Sequence, residues 1–182
     1  FFFFFWDLPE SFRRIGELSE TDVETISGCL LKVPVRIDIN KKIFDYDLIN
    51  PANGLVADTS RVNSPCSIAV VGFALSVYPI AVERGWMARD DAVAGSLATL
   101  RFFYDSVQSD SVDATGYKGF YYHFLDMQTG ARAWRSELSM IDTALLIAGV
   151  LTAAMYFTAN TPEETELREL ADALYRRIDW RW

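Results

Sequence analysis

The hydrophobic pattern divides the C-terminal part of the chain into four helices of two kinds. Residues 65–84 and 139–157 are apolar on nearly every face, which predicts helices that are buried on all sides. Residues 88–105 and 161–178 carry an apolar stripe at helical spacing and a polar opposite face, which predicts half-exposed helices. The alternation predicts an all-α protein with an inner and an outer layer of antiparallel helices. An irregular helical bundle is the alternative.

Local signals predict where these helices begin and end. Ser64 as the cap and Pro65 at the first position predict the start of the first helix, and Gly85 predicts its end. Thr161 followed by Pro162 predicts the start of the fourth helix. The apolar part of the first helix is about 15 residues long, short of the roughly 20 that cross a membrane. We therefore predict no membrane span.

The segment between the second and third helices predicts a small β element. A polar loop over 106–116 is followed by a predicted hairpin with strands at 120–126 and 131–134 around a turn at 127–130. The segment 135–142 then connects the hairpin to the start of the third helix. Residues 1–42 are predicted to form a partly irregular N-terminal segment, and residues 43–182 the helical domain.

Composition and charge narrow the classes of partner. The chain is 51% hydrophobic, which suffices for a packed core, and its net charge of -8 argues against nucleic acid and anionic membranes. A neutral ligand such as a sugar is compatible with this charge. Cys29 and Cys66 are too few for a disulfide framework, and a single histidine, His123, excludes a multi-histidine metal site made by this chain alone. We expect neither a metal nor a cofactor; the oligomeric state stays open.

Two carboxylates, Glu137 and Asp142, stand five residues apart at the start of the third helix. Glycoside hydrolysis uses a proton donor and a second carboxylate that activates water or attacks the sugar. In one helix the two would point about 140° apart, so they converge only if Glu137 is non-helical. A structural alternative is that Ser139 and Asp142 form a capping box and Glu137 pairs with Arg132 or Arg135 on the surface.

Four segments together resemble the glycoamylase-like family. They are NGLVADTS at 53–60, the helix at 64–85 running on to VERGWMARDDAV, the hairpin GFYYHFLDMQTG and IDTALLIAGVLTAAMYF at 141–157. This family includes bacterial endo-β-1,2-glucanases and a domain of cyclic β-1,2-glucan synthases. The resemblance covers residues 43–180.

The resemblance implies an (α/α)6 barrel of twelve helices with an acidic sugar-binding cleft, of which this chain is the N-terminal half. It implies a glycoside hydrolase that acts on a β-glucan, in the periplasm or secreted, although the chain shows no signal peptide. A non-catalytic helical sugar-binding or scaffold domain is the alternative.

The resemblance also implies roles for particular residues. In the endo-glucanases an acid, two further residues and a second acid open the matching helix just before a Thr-Ala pair. Asp142, which precedes Thr143, aligns with the second acid, whereas Glu137 lies five residues upstream rather than three. We predict Asp142 and Glu137 as catalytic residues. The predicted substrate-binding residues are those near the hairpin and before the first buried helix: Tyr121, His123, Trp134, Arg135, Asp58 and Arg61. A packed histidine and an Asp58–Arg61 ion pair are the structural alternatives.

Overall fold

The computed structural model of the protein describes residues 48–182, which form four helices and five short strands. The helices are α1 (Ile68–Glu83), α2 (Arg89–Asp105), α3 (Met140–Tyr156) and α4 (Pro162–Arg177). The strands are β1 (Cys66–Ser67), β2 (Gly116–Tyr117), β3 (Phe120–Tyr122), β4 (Phe124–Leu125) and β5 (Leu138–Ser139). The predicted segment 1–42 and the boundary after it lie outside the described residues. The prediction of a mainly helical protein is confirmed.

The helices pack in two pairs, α1 against α3 and α2 against α4. Gly72 of α1 and Gly149 of α3 bring the two inner backbones together, because a Cβ on either glycine would collide with a carbonyl group of the other helix. In the outer pair, Arg89 and Arg101 of α2 form ion pairs with Glu164 and Glu166 of α4 at 2.7 and 2.6 Å. None of the helices within residues 48–182 has both the length and the apolar content that a membrane crossing requires.

The burial of α3 differs from the prediction. Its buried face includes Leu146, Ile147 and Val150, but Ile141 and Met155 are exposed, at 76% and 57%. The third helix is therefore not covered on all sides by residues 48–182. Apolar periodicity predicts that a face is suited to burial, but it does not identify the element that covers the face.

The predicted start of α1 at Ser64 and Pro65 is wrong. The helix begins at Ile68 after Ser67, because Cys66 and Ser67 pair with Leu125 and Phe124 as strand β1. The predicted end is confirmed: the helix ends at Glu83, and Gly85 follows shortly after it with a φ of +67°. In α4, the Thr161 hydroxyl accepts a hydrogen bond from the Glu164 N–H with Pro162 at the first position, as predicted.

The predicted hairpin strand is divided at His123. The part before it, β3, pairs antiparallel with β2 and β5, whereas the part after it, β4, pairs with β1. The predicted turn is present, with the Asp126 N–H donating to the Ala131 carbonyl at 2.8 Å, but the return strand reduces to one bridge between Leu125 and Arg132. His123 thus lies where the chain passes from one sheet to the other, beside the start of α3.

Candidate active site

His123 is held in place by its backbone and by its ring. Its N–H donates to the Glu137 carbonyl at 3.0 Å, and its own carbonyl accepts from the N–H of Ile68 at 3.2 Å. The imidazole stacks on the Phe124 ring, with the centroids 3.9 Å apart and the planes inclined by 16°. The direction in which the ring nitrogens point is therefore set by the junction of β3 and β4.

Glu137 lies directly before β5 and reaches the histidine ring. One of its carboxylate oxygens, Oε1, lies 2.8 Å from His123 Nδ1, although the side chain is 67% exposed. Its own backbone N–H, and then the contact with His123, hold the pKa of Glu137 below its ordinary value. Glu137 is consequently a carboxylate at neutral pH. It is suited to act as a base, a nucleophile or a hydrogen-bond acceptor, but not as a proton donor.

Asp142 lies in the first turn of α3 and contacts the helix cap. The Ser139 hydroxyl accepts from the Asp142 N–H at 3.2 Å and donates to Asp142 Oδ2 at 2.6 Å. The capping-box alternative is thus only half realised, because no backbone N–H within residues 48–182 donates to the Asp142 carboxylate. The serine alone caps the helix, so the carboxylate is available for another role.

The three side chains converge into one cluster. Asp142 Oδ2 lies 3.7 Å from His123 Nδ1, and one donor atom of each of His123, Glu137 and Asp142 falls within 4.8 Å of the others. They converge because Glu137 is non-helical, as its pairing with Asp142 requires. An imidazole with two carboxylates is a ligand set that divalent transition metals accept. Each side chain in the cluster already has a protein partner, however, which accounts for the cluster without an ion.

Two hydroxyl side chains that the sequence analysis did not identify support this cluster. The Thr143 hydroxyl accepts from the Tyr121 N–H at 3.0 Å and donates to the Ser139 carbonyl at 2.6 Å, which joins β3 to the start of α3. The Ser136 hydroxyl bonds to both the N–H and the carbonyl of Phe124 at 3.2 Å. Their only signal in the sequence is that small hydroxyl residues flank the two carboxylates.

Tyr121 is not placed as predicted. Its ring is only 1% exposed, and its hydroxyl donates to the Phe103 carbonyl at 3.1 Å. Burial raises the pKa of Tyr121 to about 12. The Tyr121 ring packs edge-on against Phe103 of α2, with the ring centroids 4.8 Å apart. It offers no stacking face to a sugar.

Trp134 and Arg135 are exposed on the turn between the hairpin and Glu137. The Trp134 ring is 5.5 Å from the Phe124 ring, which itself stacks on His123. The indole is thus linked to the His123 ring through Phe124. Arg132 does not form an ion pair with Glu137 in this part of the chain, because its guanidinium donates to the carbonyls of Ser136 and Arg135.

Asp58 and Arg61 lie on the loop before β1. No ion pair joins them in the described residues, so the structural alternative for this pair is not realised. Asp58 lies near the buried Cys66, where burial first, and then the charge of Asp58, raise the pKa of the thiol to about 12. Among residues 48–182, no ion pair joins Asp58 or Arg61 to the His123 cluster.

The chain shares its fold with part of several larger proteins of solved structure. A Bacteroides uniformis protein provisionally described as a glucoamylase matches 90% of this chain and 37% of its own length, with a TM-score of 0.67 and 23% identity. An endo-β-1,2-glucanase from Chitinophaga pinensis, solved with sophorotriose and glucose, matches 86% of this chain and 37% of its own length, with a TM-score of 0.65 and 17% identity.

The sequence comparison leads to the same group. An exo-β-1,2-glucooligosaccharide sophorohydrolase from Parabacteroides distasonis is 25% identical over 125 residues, which are 66% of this chain and 16% of the relative. No protein-family profile matches the chain. The relatives named above confirm the predicted resemblance to the glycoamylase-like family. The chain spans less than two fifths of the length of each of these three relatives.

Proposed function

We propose that this chain is part of a glycoside hydrolase that cleaves a β-1,2-glucan. The observation that carries the proposal is the convergence of His123, Glu137 and Asp142 at the start of an inner helix, beside the exposed Trp134. Relatives that act on β-1,2-linked glucose support this choice of substrate. We further propose that residues 43–182 are the N-terminal half of an (α/α)6 barrel, which accounts for the uncovered face of α3.

Within this proposal, Glu137 acts as an ionised carboxylate, with Asp142 beside it. A proton donor needs a raised pKa, whereas the pKa of Glu137 is lowered. One carboxylate oxygen of Glu137 and one of Asp142 lie within 4.8 Å of each other, so the two groups are neighbours on one wall of the site. The two acids therefore act from the same side of the sugar, as base or nucleophile. The proton donor is expected from sequence outside residues 48–182.

The substrate-binding residues in this proposal are His123, Trp134 and Arg135. An exposed indole offers a flat apolar face to a pyranose ring, and an arginine offers hydrogen-bond donors to its hydroxyls. Asp58 and Arg61 are kept as contacts to a more distant sugar unit, because they lie on another loop. Tyr121 is removed from the set, since its ring is buried.

The decisive experiment uses the full-length protein with β-1,2-glucan and measures the release of reducing ends. We expect Asp142→Asn and Glu137→Gln each to lower turnover by about 10²–10⁴-fold, the range for a positioned acid or base. Asp110→Asn and Glu169→Gln are matched controls, since both carboxylates are exposed and lie outside the cluster. Wild-type turnover in both site variants would refute the proposed roles.

The second candidate function is a non-catalytic sugar-binding domain. The protein contacts of all three cluster side chains, which hold them in place without a substrate, favour this alternative. It predicts that the full-length protein binds sophorotriose and depends on Trp134, but releases no reducing ends from β-1,2-, β-1,3- or β-1,4-glucans. Turnover of any of these polymers would exclude it.

A further inference from the structure

The turn that carries Trp134 has an unfavourable backbone. Trp134 and Arg135 have φ values of +54° and +55°, although neither is glycine. In this left-handed region the Cβ of an L-residue crowds its own backbone, and glycine, asparagine or aspartate is the usual occupant. Two consecutive large residues in this conformation need an external constraint.

Arg132 supplies that constraint. Its Nε donates to the Ser136 carbonyl at 2.5 Å, and its Nη2 donates to the Arg135 carbonyl at 2.9 Å. The guanidinium lies 4.2 Å from the centre of the Tyr122 ring, on β3. Its planar fork therefore joins the far side of the turn to the sheet, a geometry that a lysine ammonium does not reproduce.

The same turn is continuous with the cluster. The Ser136 N–H donates to the Ala133 carbonyl at 2.9 Å and closes the turn, while the Ser136 hydroxyl bonds to Phe124. The Trp134 ring lies against Phe124, and Glu137 follows Ser136 directly in the chain. A change in the turn would move the indole relative to His123 and Glu137.

Strained backbone persists where surrounding contacts hold it, and such positions concentrate at functional sites. Here the strained turn presents an indole that touches Phe124 but stays 73% exposed, so little burial compensates for the strain. We propose that residues 132–136 form a preorganised subsite for a β-linked glucosyl unit, with Trp134 as its stacking surface and Arg132 as its positioning residue. This inference rests on the proposed action on β-1,2-glucan, and it assigns to Arg132 a role in holding the turn.

The test compares Arg132→Lys with the wild-type full-length protein. The lysine keeps the positive charge but loses the two directed hydrogen bonds. We expect KM for β-1,2-glucan and Kd for sophorotriose to rise about tenfold while kcat changes less than about twofold, because the stacking geometry is lost and the carboxylates remain. Arg84→Lys is the matched control, since Arg84 is exposed and lies at the far end of α1. We expect it to match the wild type.

A double variant shows whether Arg132 acts through Trp134. Trp134→Asn removes the ring and keeps a residue that accepts the left-handed conformation. We expect Trp134→Asn with Arg132→Lys to bind sophorotriose no more weakly than Trp134→Asn alone, because coupled residues are not additive. Additive losses, or unchanged binding in Arg132→Lys alongside normal turnover, would overturn the inference and leave the proposed function standing. A wild-type protein that neither binds nor cleaves the glucan would remove the proposed function itself.

Discussion

His123 Nδ1 lies 2.8 Å from Glu137 Oε1, so a ring at the junction of two sheets and a carboxylate before β5 form one hydrogen-bonded unit. The unit joins residues that are 14 positions apart. Its second neighbour is Asp142, whose Oδ2 is 3.7 Å from the same nitrogen. The pKa of Glu137 therefore depends on the histidine.

The first prediction concerns the pH dependence of activity. Because the contact with His123 helps to lower the pKa of Glu137, His123→Ala should raise that pKa toward its ordinary value. If the reaction requires ionised Glu137, activity falls as the pH drops through this pKa. The acidic limb of the kcat/KM profile should then move to higher pH in the variant. The shift should be partial, since the backbone N–H of Glu137 is the larger cause and remains.

His123→Asn is the matched control for this prediction, because the asparagine amide can replace the donor at Nδ1. We expect its acidic limb to stay near that of the wild type. An acidic limb that does not move in His123→Ala would show that Glu137 does not control it.

The second prediction separates the helix cap from the carboxylate beside it. Ser139→Ala removes the side-chain cap of α3 and should lower the free energy of unfolding by about 1 kcal/mol. Asp142→Asn keeps that cap and should cost less than about 1 kcal/mol while activity is lost. Urea denaturation measures the loss of stability in the two variants, and the release of reducing ends measures their activity. A larger loss of stability in Asp142→Asn than in Ser139→Ala would identify Asp142 as a structural residue.

The third prediction compares two ion pairs between α2 and α4. The side chain of Glu164 is 4% exposed, and its carboxylate also accepts from the Ala159 N–H at 2.6 Å. Since Arg89 is 36% exposed, Glu164→Gln should cost about 2–3 kcal/mol, below the 3–5 kcal/mol of a fully buried pair. Glu166→Gln is the matched control, and its exposed pair with Arg101 should contribute about 0–1 kcal/mol.

The same glutamate gives the sign of the pH effect on stability. Hydrogen bonds from Arg89, and then from the Ala159 N–H, lower the pKa of Glu164 in the folded protein. Its stabilising contribution is present above the pKa of an unfolded-state glutamate and is lost as the pH falls through the lowered pKa. Thermal unfolding of Glu164→Gln should therefore depend less on pH in the acidic range than that of the wild type. Parallel curves would contradict this.

The fourth prediction tests the strain in the turn. Arg135→Gly places the residue that best tolerates positive φ at +55° and should raise the free energy of unfolding by about 0.5–1 kcal/mol. Arg84 has a φ of -86°, so Arg84→Gly gains nothing in the folded state and should cost about 0.5–1 kcal/mol. Denaturant unfolding of the two variants measures the difference. Equal losses would show that the turn is unstrained.

Local patterns predicted the helices well because their causes are local. The apolar periodicity of α2 and α4 and the cap of α4 depend on residues within one or two turns, and the structure agrees with them closely. The start of α1 was predicted three residues early, because Ser67 pairs with Phe124, 57 positions away. A local cap signal carries no information about such a partner.

From the amino-acid sequence alone, four helices, a turn at 127–130 and two carboxylates near the start of α3 could be predicted. Tertiary contacts were needed to place His123 between the carboxylates, to turn Tyr121 toward the core and to hold the turn of Trp134 through Arg132. The physical reason is that helix formation and capping depend on neighbours in the chain. The direction of a side chain in a short strand depends on which strands pair with it, and β3 pairs with β5, whose Ser139 lies 18 positions beyond Tyr121.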